Sequence, residues 1–485
     1  MAAESWADEV EGEDDAGATK TAPAADALAD QLAQKGGVTD PNADGAGEED
    51  KPDEPDTSLK AEKLNEASDG VEKKLADDVQ TPYKSAKTFK ELGLKESLLE
   101  GIFNVMKFEK PSKIQAETLP MILEPPHRNL IAQAHNGSGK TTCFVLGMLS
   151  LVDPDLKEPQ ALCICPTREL AIQNLDRTEK MGTFCTGTTY ALVVPGQNYS
   201  SAIKHQILIG TPGRMADLVR RRKINLDHIR CVVFDEADEM LSRGFRDFSI
   251  TLLKEIDKKR EKKNLECQKI LFSATFSEEV REFAVNKIPK ANQIFLKAVD
   301  LKIDLIKQYR VPVPTKEAKA AVIKVIFELG DLGQTIIFVR TKDSARKLHS
   351  QLAGEGHKCT SITGDMQPQE RDRVIKEFIE GTTRTMIATD VLSRGFDVDN
   401  VTLVVNHDVP TERTGNPAYE TYLHRVGRTG RFGRKGAAFN LVLGNTENVQ
   451  LSAITKKYNI PLEDIQYDSE EAILSSLEAA GLSAL

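Results

Sequence analysis

The 485-residue sequence lacks any run of about 18 apolar residues, and its first 30 residues mix acidic residues with alanine instead of following a basic start with an apolar stretch. These absences predict a soluble protein with neither membrane insertion nor a secretory signal. The sequence also lacks a CxxC pair that could hold zinc, and its seven cysteines are odd in number. Several cysteines lie in apolar runs typical of buried strands. We therefore predict reduced core thiols and a cytosolic or nuclear compartment.

Aromatic residues are scarce at the amino end, where Trp6 is the only one in residues 1–57. This segment is rich in Ala, Asp, Glu, Gly and Pro, and it cannot bury enough apolar surface to offset chain entropy. We predict it to be disordered. Residues 58–78 regain helix formers with few apolar positions. They predict a frayed, solvated helix or, alternatively, a regulatory segment that docks in a cleft between domains.

Charge is distributed unevenly along the chain. The first 80 residues carry 23 acidic and 7 basic residues, a formal charge of -16, whereas the remaining residues carry +6. An acidic extension on a mildly basic body is compatible with nucleic-acid binding, although basic surfaces are often only solvated.

The length exceeds what one hydrophobic core usually serves, which predicts two globular domains plus a tail. After Thr88, short apolar runs alternate with helical stretches, the βαβ pattern of a parallel sheet. The strands predicted for the first domain are 129–132, 161–165, 190–194, 206–209, 231–234 and 269–272. Those predicted for the second are 335–339, 358–362, 385–388, 403–405 and 437–443. A break near residues 297–306 separates the two sets.

The first predicted strand runs into a glycine-rich loop at residues 134–141 and then into an apolar helix. In such a loop the backbone N–H groups face phosphates, a lysine supplies charge at the β/γ positions, and a hydroxyl can hold Mg²⁺. A chance turn is the alternative, but the strand before the loop and the helix after it favour nucleotide binding. The predicted nucleotide ligands are Asn136, Gly137, Ser138, Gly139, Lys140, Thr141 and Thr142.

About a hundred residues later, an apolar strand ends in the acidic sequence DEAD at residues 235–238. An acid at the carboxyl end of a strand beside a phosphate loop can hold Mg²⁺ through water, which predicts Thr141 and Asp235 as the metal site. The next acid, Glu236, can position or deprotonate the attacking water. On its own, such a short acidic sequence is often only surface charge. Its occurrence together with the phosphate loop makes it a specific signal for a nucleotide site.

DEAD is the signature of the DEAD-box RNA helicases, and the sequence resembles that family from about Phe89 to Phe439. The resemblance implies an α/β protein with two RecA-like parallel-sheet domains of the P-loop NTPase type in tandem, behind a disordered acidic N-terminal extension. It implies an extension at 1–80, an ATP-binding domain at 81–299, a C-terminal helicase domain at 300–470 and a tail at 471–485. It also implies ATP and Mg²⁺ as cofactors. The catalytic residues would be Lys140, Asp235, Glu236, Arg428 and Arg431.

Residues 108–115 resemble the Q motif of the family, in which the position of Gln115 reads the adenine edge. Phe89 stands at the spacing of the aromatic residue that stacks on adenine, and a Phe89 that faces the core is the alternative. Lys107 departs from the glycine that usually precedes Phe108. His135 departs from the small polar residues of close relatives.

Residues 388–397 and 424–431 resemble motifs V and VI. In the family the position of Asp397 contacts the ribose, while those of Arg428 and Arg431 reach across the cleft to the γ-phosphate. Cationic groups supplied by another domain stabilise charge in phosphoryl transfer. An RNA-binding patch is the alternative for this arginine cluster. The family also couples the state of the bound nucleotide to the action on RNA through a set of residues, here Ser273, Thr275, Asp238 and His424.

RNA contacts are implied for residues that follow strands in both domains: Pro166, Thr167, Arg168, Thr211, Pro212, Gly213, Arg214, Thr341, Gly364, Arg371 and Thr389. Backbone amides at helix starts, together with arginines, suit a phosphate backbone and give affinity without sequence reading. Structural roles are the alternative for the members in the second domain. Gln197 follows Pro195 and Gly196 where the family has a double glycine, and Pro368 stands where it has glutamine.

Several stretches, above all an insertion at residues 408–424, resemble the DEAD-box ATPase of messenger-RNA export, which works at the cytoplasmic face of the nuclear pore. This branch implies a monomer of the cytoplasm and nucleus that remodels messenger ribonucleoprotein. The implied partners are single-stranded RNA, a nuclear-pore filament nucleoporin and an export activator with inositol hexakisphosphate. The alternatives are a translation-initiation-type helicase and an ATP-gated RNA clamp with little turnover.

Overall fold

A computed structural model describes residues 71–75, 83–134, 137–242, 244–263, 265–296, 306–330, 332–390, 398, 400–412, 414–430 and 435–482. The segment predicted to be disordered, 1–57, lies outside the described residues, as does most of the predicted helix at 58–78. Three predicted site residues also lie outside them: Asn136, Asp397 and Arg431.

The first domain is built on one eight-stranded sheet. Its strands are β1 (Val71–Lys74), β2 (Leu130–Gln133), β3 (Ala161–Ile164), β4 (Tyr190–Val193), β5 (Ile207–Gly210), β6 (Cys231–Phe234), β7 (Gln268–Ser273) and β8 (Asn292–Leu296). Their spatial order is β1-β8-β2-β7-β6-β3-β5-β4. All neighbours run parallel except β1, which is antiparallel to β8. All six predicted strands are present, whereas β1 and β8 were not predicted.

The second domain is built on a seven-stranded sheet in which every neighbouring pair is parallel. Its strands are β9 (Ile306–Val313), β10 (Gln334–Phe338), β11 (Cys359–Ile362), β12 (Thr385–Ala388), β13 (Val401–Asn406), β14 (Gly436–Leu443) and β15 (Glu463–Asp464). Their order is β11-β12-β10-β13-β14-β9-β15. The predicted break at residues 297–306 falls between β8 and β9, so the two-domain α/β prediction is confirmed.

Helices occupy most connections between the strands. In the first domain they are α1 (Glu96–Glu100), α2 (Lys113–Leu123), α3 (Lys140–Leu151), α4 (Arg168–Met181), α5 (Pro212–Arg220), α6 (Ala237–Ser242), α7 (Arg246–Glu261) and α8 (Glu278–Lys287). In the second they are α9 (Lys316–Leu329), α10 (Lys342–Gly354), α11 (Pro368–Ile379), α12 (Tyr419–Val426), α13 (Gly444–Tyr458) and α14 (Glu470–Ala479). A 3₁₀ turn at Phe89–Leu92 and a π-helical turn at Gly101–Val105 flank α1.

Each sheet separates two hydrophobic cores. In β2, Leu130 and Ala132 belong to one core of the first domain, and Ile131 belongs to the other. Side chains of a strand alternate between faces, so continuous apolar strands such as β6 are buried on both sides. The result is the three-layer arrangement of helices on both faces of a parallel sheet.

The structure differs from the predicted boundaries at two places. The predicted helix at 58–78 does not extend over residues 71–74, which form β1, so the first domain begins before residue 81. The weak helix propensity of this segment is overridden because β1 pairs with the backbone groups on the open edge of β8. The segment predicted as a tail, 471–485, contains most of α14, and Ile473 and Leu477 of this helix, with the following Ala480, are buried in the core of the second domain.

The cysteines agree with the prediction of reduced thiols in the core. All seven cysteines are free, and five of them are buried: Cys143, Cys163, Cys165, Cys231 and Cys267. Among the described helices, none has the length and apolarity needed to cross a bilayer.

The loops that carry the predicted motifs lie at the carboxyl ends of parallel strands. The glycine-rich loop follows β2, the acidic motif follows β6, and Ser273 ends β7. In the second domain Thr341 follows β10 and Thr389 follows β12. Ligands of open α/β sheets bind at this edge.

Candidate active site

The glycine-rich loop leads from β2 into α3, with Lys140 as the first helical residue and only 7 % exposed. Gly137 and Gly139 have φ angles of 78° and 98°, a region that glycine enters without steric cost. A Cβ on Gly139 would lie 2.4 Å from Nε2 of Gln115. The loop therefore requires glycine both for its turn and for its close packing.

Side chains at the start of α2 form hydrogen bonds with this loop. Gln115 Oε1 accepts from the Ser112 N–H at 2.8 Å, and Ser112 Oγ caps the helix, which forms a capping box. The same two side chains donate to the loop: Ser112 Oγ to the Ser138 carbonyl at 2.7 Å, and Gln115 Nε2 to the Gly139 carbonyl at 3.2 Å. This loop-fixing role was missed, although the Ser-x-x-Gln pattern of a capping box was visible in the sequence.

Phe89 has no exposed surface, and its ring packs edge-on against Phe103 with centroids 6.3 Å apart. The structure therefore favours the core-facing alternative, since stacking on adenine would require the ring to be uncovered. Lys107 has a φ of 56°, the left-handed region that the more usual glycine would adopt without strain.

Asp235 and Glu236 follow β6 and are 3 % and 4 % exposed. Asp235 Oδ2 accepts from Nδ2 of Asn174 at 2.8 Å, and Oδ1 accepts from the Glu236 N–H at 3.1 Å. Burial raises the pKa of Asp235, while the charges of Lys140 and Arg177 and the bond from Asn174 oppose that rise. Asn174 and Arg177 lie on α4 and were not among the predicted site residues.

Glu236 combines burial, backbone strain and an unpaired oxygen. Burial and the adjacent Asp235 carboxylate raise the pKa of Glu236 to about 7, against the opposing charges of Lys140 and Arg428. Its φ is 50°, a strained conformation for a non-glycine residue and one typical of functional sites. In the described part of the chain, its buried Oε2 has no hydrogen-bond partner. A carboxylate poised near neutral pH suits proton transfer.

Thr141 and Asp235, the predicted metal ligands, both lie next to Arg177. Nη1 of Arg177 donates to Thr141 Oγ1 at 3.1 Å, and the Arg177 charge acts on Asp235. A hydroxyl and a carboxylate are the hard oxygen donors that Mg²⁺ prefers, so the residues fit this ion. Among the described residues, no group of three or more His, Cys, Asp or Glu could hold a metal. Mg²⁺ would therefore need further oxygens from the nucleotide and from water.

The predicted coupling residues meet across the two domains. Asp238 Oδ2 accepts from Oγ1 of Thr275 at 2.6 Å, and Nε2 of His424, on α12 of the second domain, lies 3.6 Å from the same oxygen. Ser273 Oγ donates to the Thr275 carbonyl at 2.6 Å. The acidic motif, the residues after β7 and α12 thus form one buried polar cluster.

Arg428 also lies on the second domain and is only 3 % exposed. Its Nε donates at 2.9 Å to the carbonyl of His424, which lies in the last turn of α12. Its charge lowers the pKa of Glu236 in the first domain. The second domain therefore supplies a cation near the acidic motif, while the contact of Arg428 with the γ-phosphate stays a prediction.

Two of the predicted RNA-binding arginines form ion pairs between the domains. Arg168 contacts Asp372 with two nitrogens, at 2.7 and 3.3 Å. Arg371 pairs with Glu169 at 2.6 Å. Adjacent residues of α4 and α11 thus form two crossed pairs, which the sequence did not predict. The two departures from the family pattern also meet here, since a Cβ on Gly196 would contact Pro368 at 3.9 Å.

Other RNA candidates have local structural partners. Thr167 and Thr341 cap α4 and α10 by accepting from Leu170 and Ser344 N–H groups at 3.3 and 3.1 Å. Arg214 donates to Asp217. The remaining candidates lie in the loops after β3, β5, β11 and β12 or at the start of α5: Pro166, Thr211, Pro212, Gly213, Gly364 and Thr389. These loops share one edge of each sheet, and Gly213 and Gly364 are exposed there.

The sequence also did not predict a role for Arg425. Its buried side chain attaches α12 to the rest of the second domain. It is 1 % exposed and donates through Nε to Asp390 at 2.8 Å and through Nη1 to the Asp408 carbonyl at 2.8 Å. This places α12, with His424 and Arg428, at a fixed position on the sheet.

Comparison with known proteins agrees with this geometry. Residues 112–283 match the family model described as DEAD/DEAH box helicase, and residues 317–433 match the helicase conserved C-terminal domain. The chain is 51 % identical over 414 residues to DEAD-box ATP-dependent RNA helicase 38 of Arabidopsis thaliana, covering 83 % of this chain and 82 % of that protein. The chain belongs to the DEAD-box ATP-dependent RNA helicases.

Two solved structures of a related DEAD-box helicase extend this comparison over both domains. One is S. cerevisiae Dbp5 bound to RNA and ADP BeF3, at 42 % identity and a TM-score of 0.75, covering 81 % of this chain and all of that one. The other is a point variant of S. cerevisiae Dbp5 bound to Nup159, a point variant of Gle1, IP6 and ADP. It has 39 % identity and a TM-score of 0.58, covering 80 % of this chain and 99 % of that one.

Proposed function

We propose that this DEAD-box helicase hydrolyses ATP in an RNA-stimulated manner to remodel messenger ribonucleoprotein during export through the nuclear pore. The single observation that carries the hydrolytic part is that Arg428 of the second domain lies close enough to the buried Glu236 of the first for its charge to lower the pKa of that carboxyl. A site assembled from two domains forms only when they close. RNA bound across both domains favours closure and therefore hydrolysis.

Four side chains would share the chemical work. Lys140, at the start of α3, places its charge where the β/γ-phosphates would lie, and the loop amides face the same point. Glu236 orients the attacking water and accepts its proton at Oε2. Arg428 offsets charge on the transferring phosphoryl group, and Arg431 is proposed to act beside it. Mg²⁺, when bound, neutralises phosphate charge. Thr141 would supply its hydroxyl, and Asp235 would hold water on the ion.

The RNA path is proposed along the shared edge of the two sheets, over the start of α5 at Gly213 and the loops that carry Gly364 and Thr389. Helix starts after these strands present backbone amides, and such amides bind phosphates without reading sequence. The structure of Dbp5 with RNA and ADP BeF3 supports a site for one strand and one nucleotide on this fold.

The partners are proposed from two sources. The insertion at 408–424 resembles the messenger-RNA export branch, which implies a nuclear-pore filament nucleoporin, an export activator with inositol hexakisphosphate, and action at the cytoplasmic face of the pore. The complex of the Dbp5 variant with Nup159, Gle1 and IP6 supports the same assembly for this chain.

A steady-state ATPase assay with and without single-stranded RNA tests the enzymatic proposal. We expect RNA to raise turnover at least about tenfold, and Glu236→Gln to abolish hydrolysis while retaining nucleotide-dependent RNA binding. Turnover that stays negligible with saturating RNA would instead identify an ATP-gated clamp.

Depletion of the protein tests the export role. We expect polyadenylated RNA to accumulate in the nucleus before polysomes decline. The opposite order would identify a translation-initiation-type helicase.

A further inference from the structure

One face of α4 is directed at the corner where Mg²⁺ is expected. Asn174 and Arg177 lie three residues apart, the spacing that puts two side chains on the same side of a helix. Asn174 donates to Asp235 at 2.8 Å, and Arg177 donates to Thr141 Oγ1 at 3.1 Å. One turn of one helix therefore reaches both predicted metal ligands.

We propose that Arg177 competes with nucleotide-bound Mg²⁺: its guanidinium occupies the corner between Thr141 and Asp235 and must withdraw when the metal binds. The inference rests on the proposed function, because it concerns the Mg²⁺ that accompanies ATP or ADP. It adds a residue that sets how much Mg²⁺ the enzyme requires.

The physical basis is a shared set of partners. The Thr141 hydroxyl oxygen that accepts from Arg177 is the atom that would face the metal, and the Asp235 carboxylate accepts from Asn174 on the same face of α4. A guanidinium is permanently charged, so it repels a divalent cation that approaches the same oxygens. Arg177 is half-buried, so it can swing outward without unfolding α4.

The neighbouring cation shows why Arg177 differs from an ordinary surface arginine. Lys180 lies one turn further along α4, is exposed, and pairs with Asp176 at 2.8 Å. It carries the same charge on the same helix, and this partner lies on the helix surface. Lys180 is therefore a matched control for the general effect of removing one positive charge.

The test measures binding of a fluorescent ADP while Mg²⁺ is titrated, so that the readout does not depend on turnover. For Arg177→Met we expect the Mg²⁺ concentration that gives half of the gain in ADP affinity to fall about three- to tenfold, the range of one lost hydrogen bond. For Lys180→Met it should stay within about twofold of wild type. Arg177→Lys retains the charge and should keep most of the wild-type requirement.

Thermal unfolding of each variant verifies that the fold is intact. An unchanged or increased Mg²⁺ requirement in Arg177→Met would overturn the proposal, and so would an Arg177→Lys protein that matches Arg177→Met. Failure of the proposed function would look different, because wild-type protein would then bind ADP in a Mg²⁺-dependent manner and yet show no RNA-stimulated ATP hydrolysis.

Discussion

At the scale of single residues, the features that suit the acidic motif to catalysis lower the stability of the fold. Glu236 is buried beside another carboxylate in a strained backbone conformation, and its Oε2 is left without a partner among the described residues. Each of these features costs folding free energy, and each is useful only when water and phosphate arrive. Replacing the carboxylate should therefore stabilise the protein while removing its activity.

Glu236→Gln tests this trade in nucleotide-free protein with EDTA. Burial raises the pKa of Glu236 to about 7, so the folded state favours the protonated acid, and wild-type stability falls as pH rises from the ordinary glutamate value through 7. Glutamine stays neutral throughout. We expect the variant's advantage to grow from about 1 kcal/mol near about pH 5.5 to about 3 kcal/mol near about pH 8.

Urea unfolding across this pH range measures the difference. The control is Glu282→Gln, an exposed glutamate on α8, whose difference from wild type should stay small and constant. A pH-independent advantage for Glu236→Gln would contradict the assigned pKa.

Lys107 gives a second prediction at this scale. Its φ of 56° is costly for a residue with a Cβ, so Lys107→Gly should stabilise the protein by about 1 kcal/mol, even after the added entropy of the unfolded chain. Lys110→Gly, three residues away and outside the left-handed region, should be destabilising. If urea unfolding shows that both variants are less stable than wild type, the backbone strain at Lys107 is too small to offset the added entropy of the unfolded chain.

Gln115 shows what sequence reasoning could and could not reach at this scale. Its position in the Q motif indicated a nucleotide contact, and its spacing from Ser112 indicated a helix cap, yet neither pattern tells that both side chains also donate to loop carbonyls 138 and 139. Contacts between segments depend on packing, which one segment's sequence does not contain. The same reason explains why Asn174, Arg177 and Arg425 were missed.

At the scale of elements, the continuous apolar strands were predictable, whereas four strands were missed: β1, β8, β9 and β15. Strands such as β6 are continuous apolar runs, which sequence alone marks. β1 (VEKK) and β15 (two acidic residues) carry no such signal, since they are added to a sheet edge by backbone pairing. α14 had a signal that was overlooked: Ile473, Leu477 and Ala480 recur at helical spacing and are all buried.

The assignment of α14 to the core predicts a specific cost. Leu477 has no exposed surface, so Leu477→Ala should reduce the free energy of unfolding by about 2–5 kcal/mol. Leu474→Ala removes the same atoms from a half-buried position on the same helix and should cost clearly less. Equal, small losses for both variants in urea unfolding would favour a tail at this segment after all.

At the scale of the whole molecule, contacts between protein side chains join the two domains. The crossed pairs Arg168–Asp372 and Glu169–Arg371 join α4 to α11, and His424 meets Asp238. Arg168 thus has two possible roles, in RNA binding and in closure. A charge swap separates them.

Asp372→Arg places two arginines together and should raise the RNA concentration for half-maximal ATPase at least about tenfold, because like charges oppose closure. Arg168→Asp combined with Asp372→Arg should recover most of this loss. Asp176→Arg, which disrupts an exposed pair on the same helix, should change little. A swapped protein as defective as Asp372→Arg would show that Arg168 acts on RNA and not through Asp372.

β1 has a practical consequence for how this protein is prepared. A truncation at residue 81, the boundary that composition suggests, removes the strand that covers β8 and leaves its backbone groups open along one side. Such a fragment should form dimers or larger species by strand addition between molecules, detectable by light scattering, whereas a fragment that starts before Val71 should stay monodisperse. Removing the acidic segment and removing the strand would then have separate effects. Two shortened proteins whose starting points differ by about a dozen residues would differ in their tendency to associate.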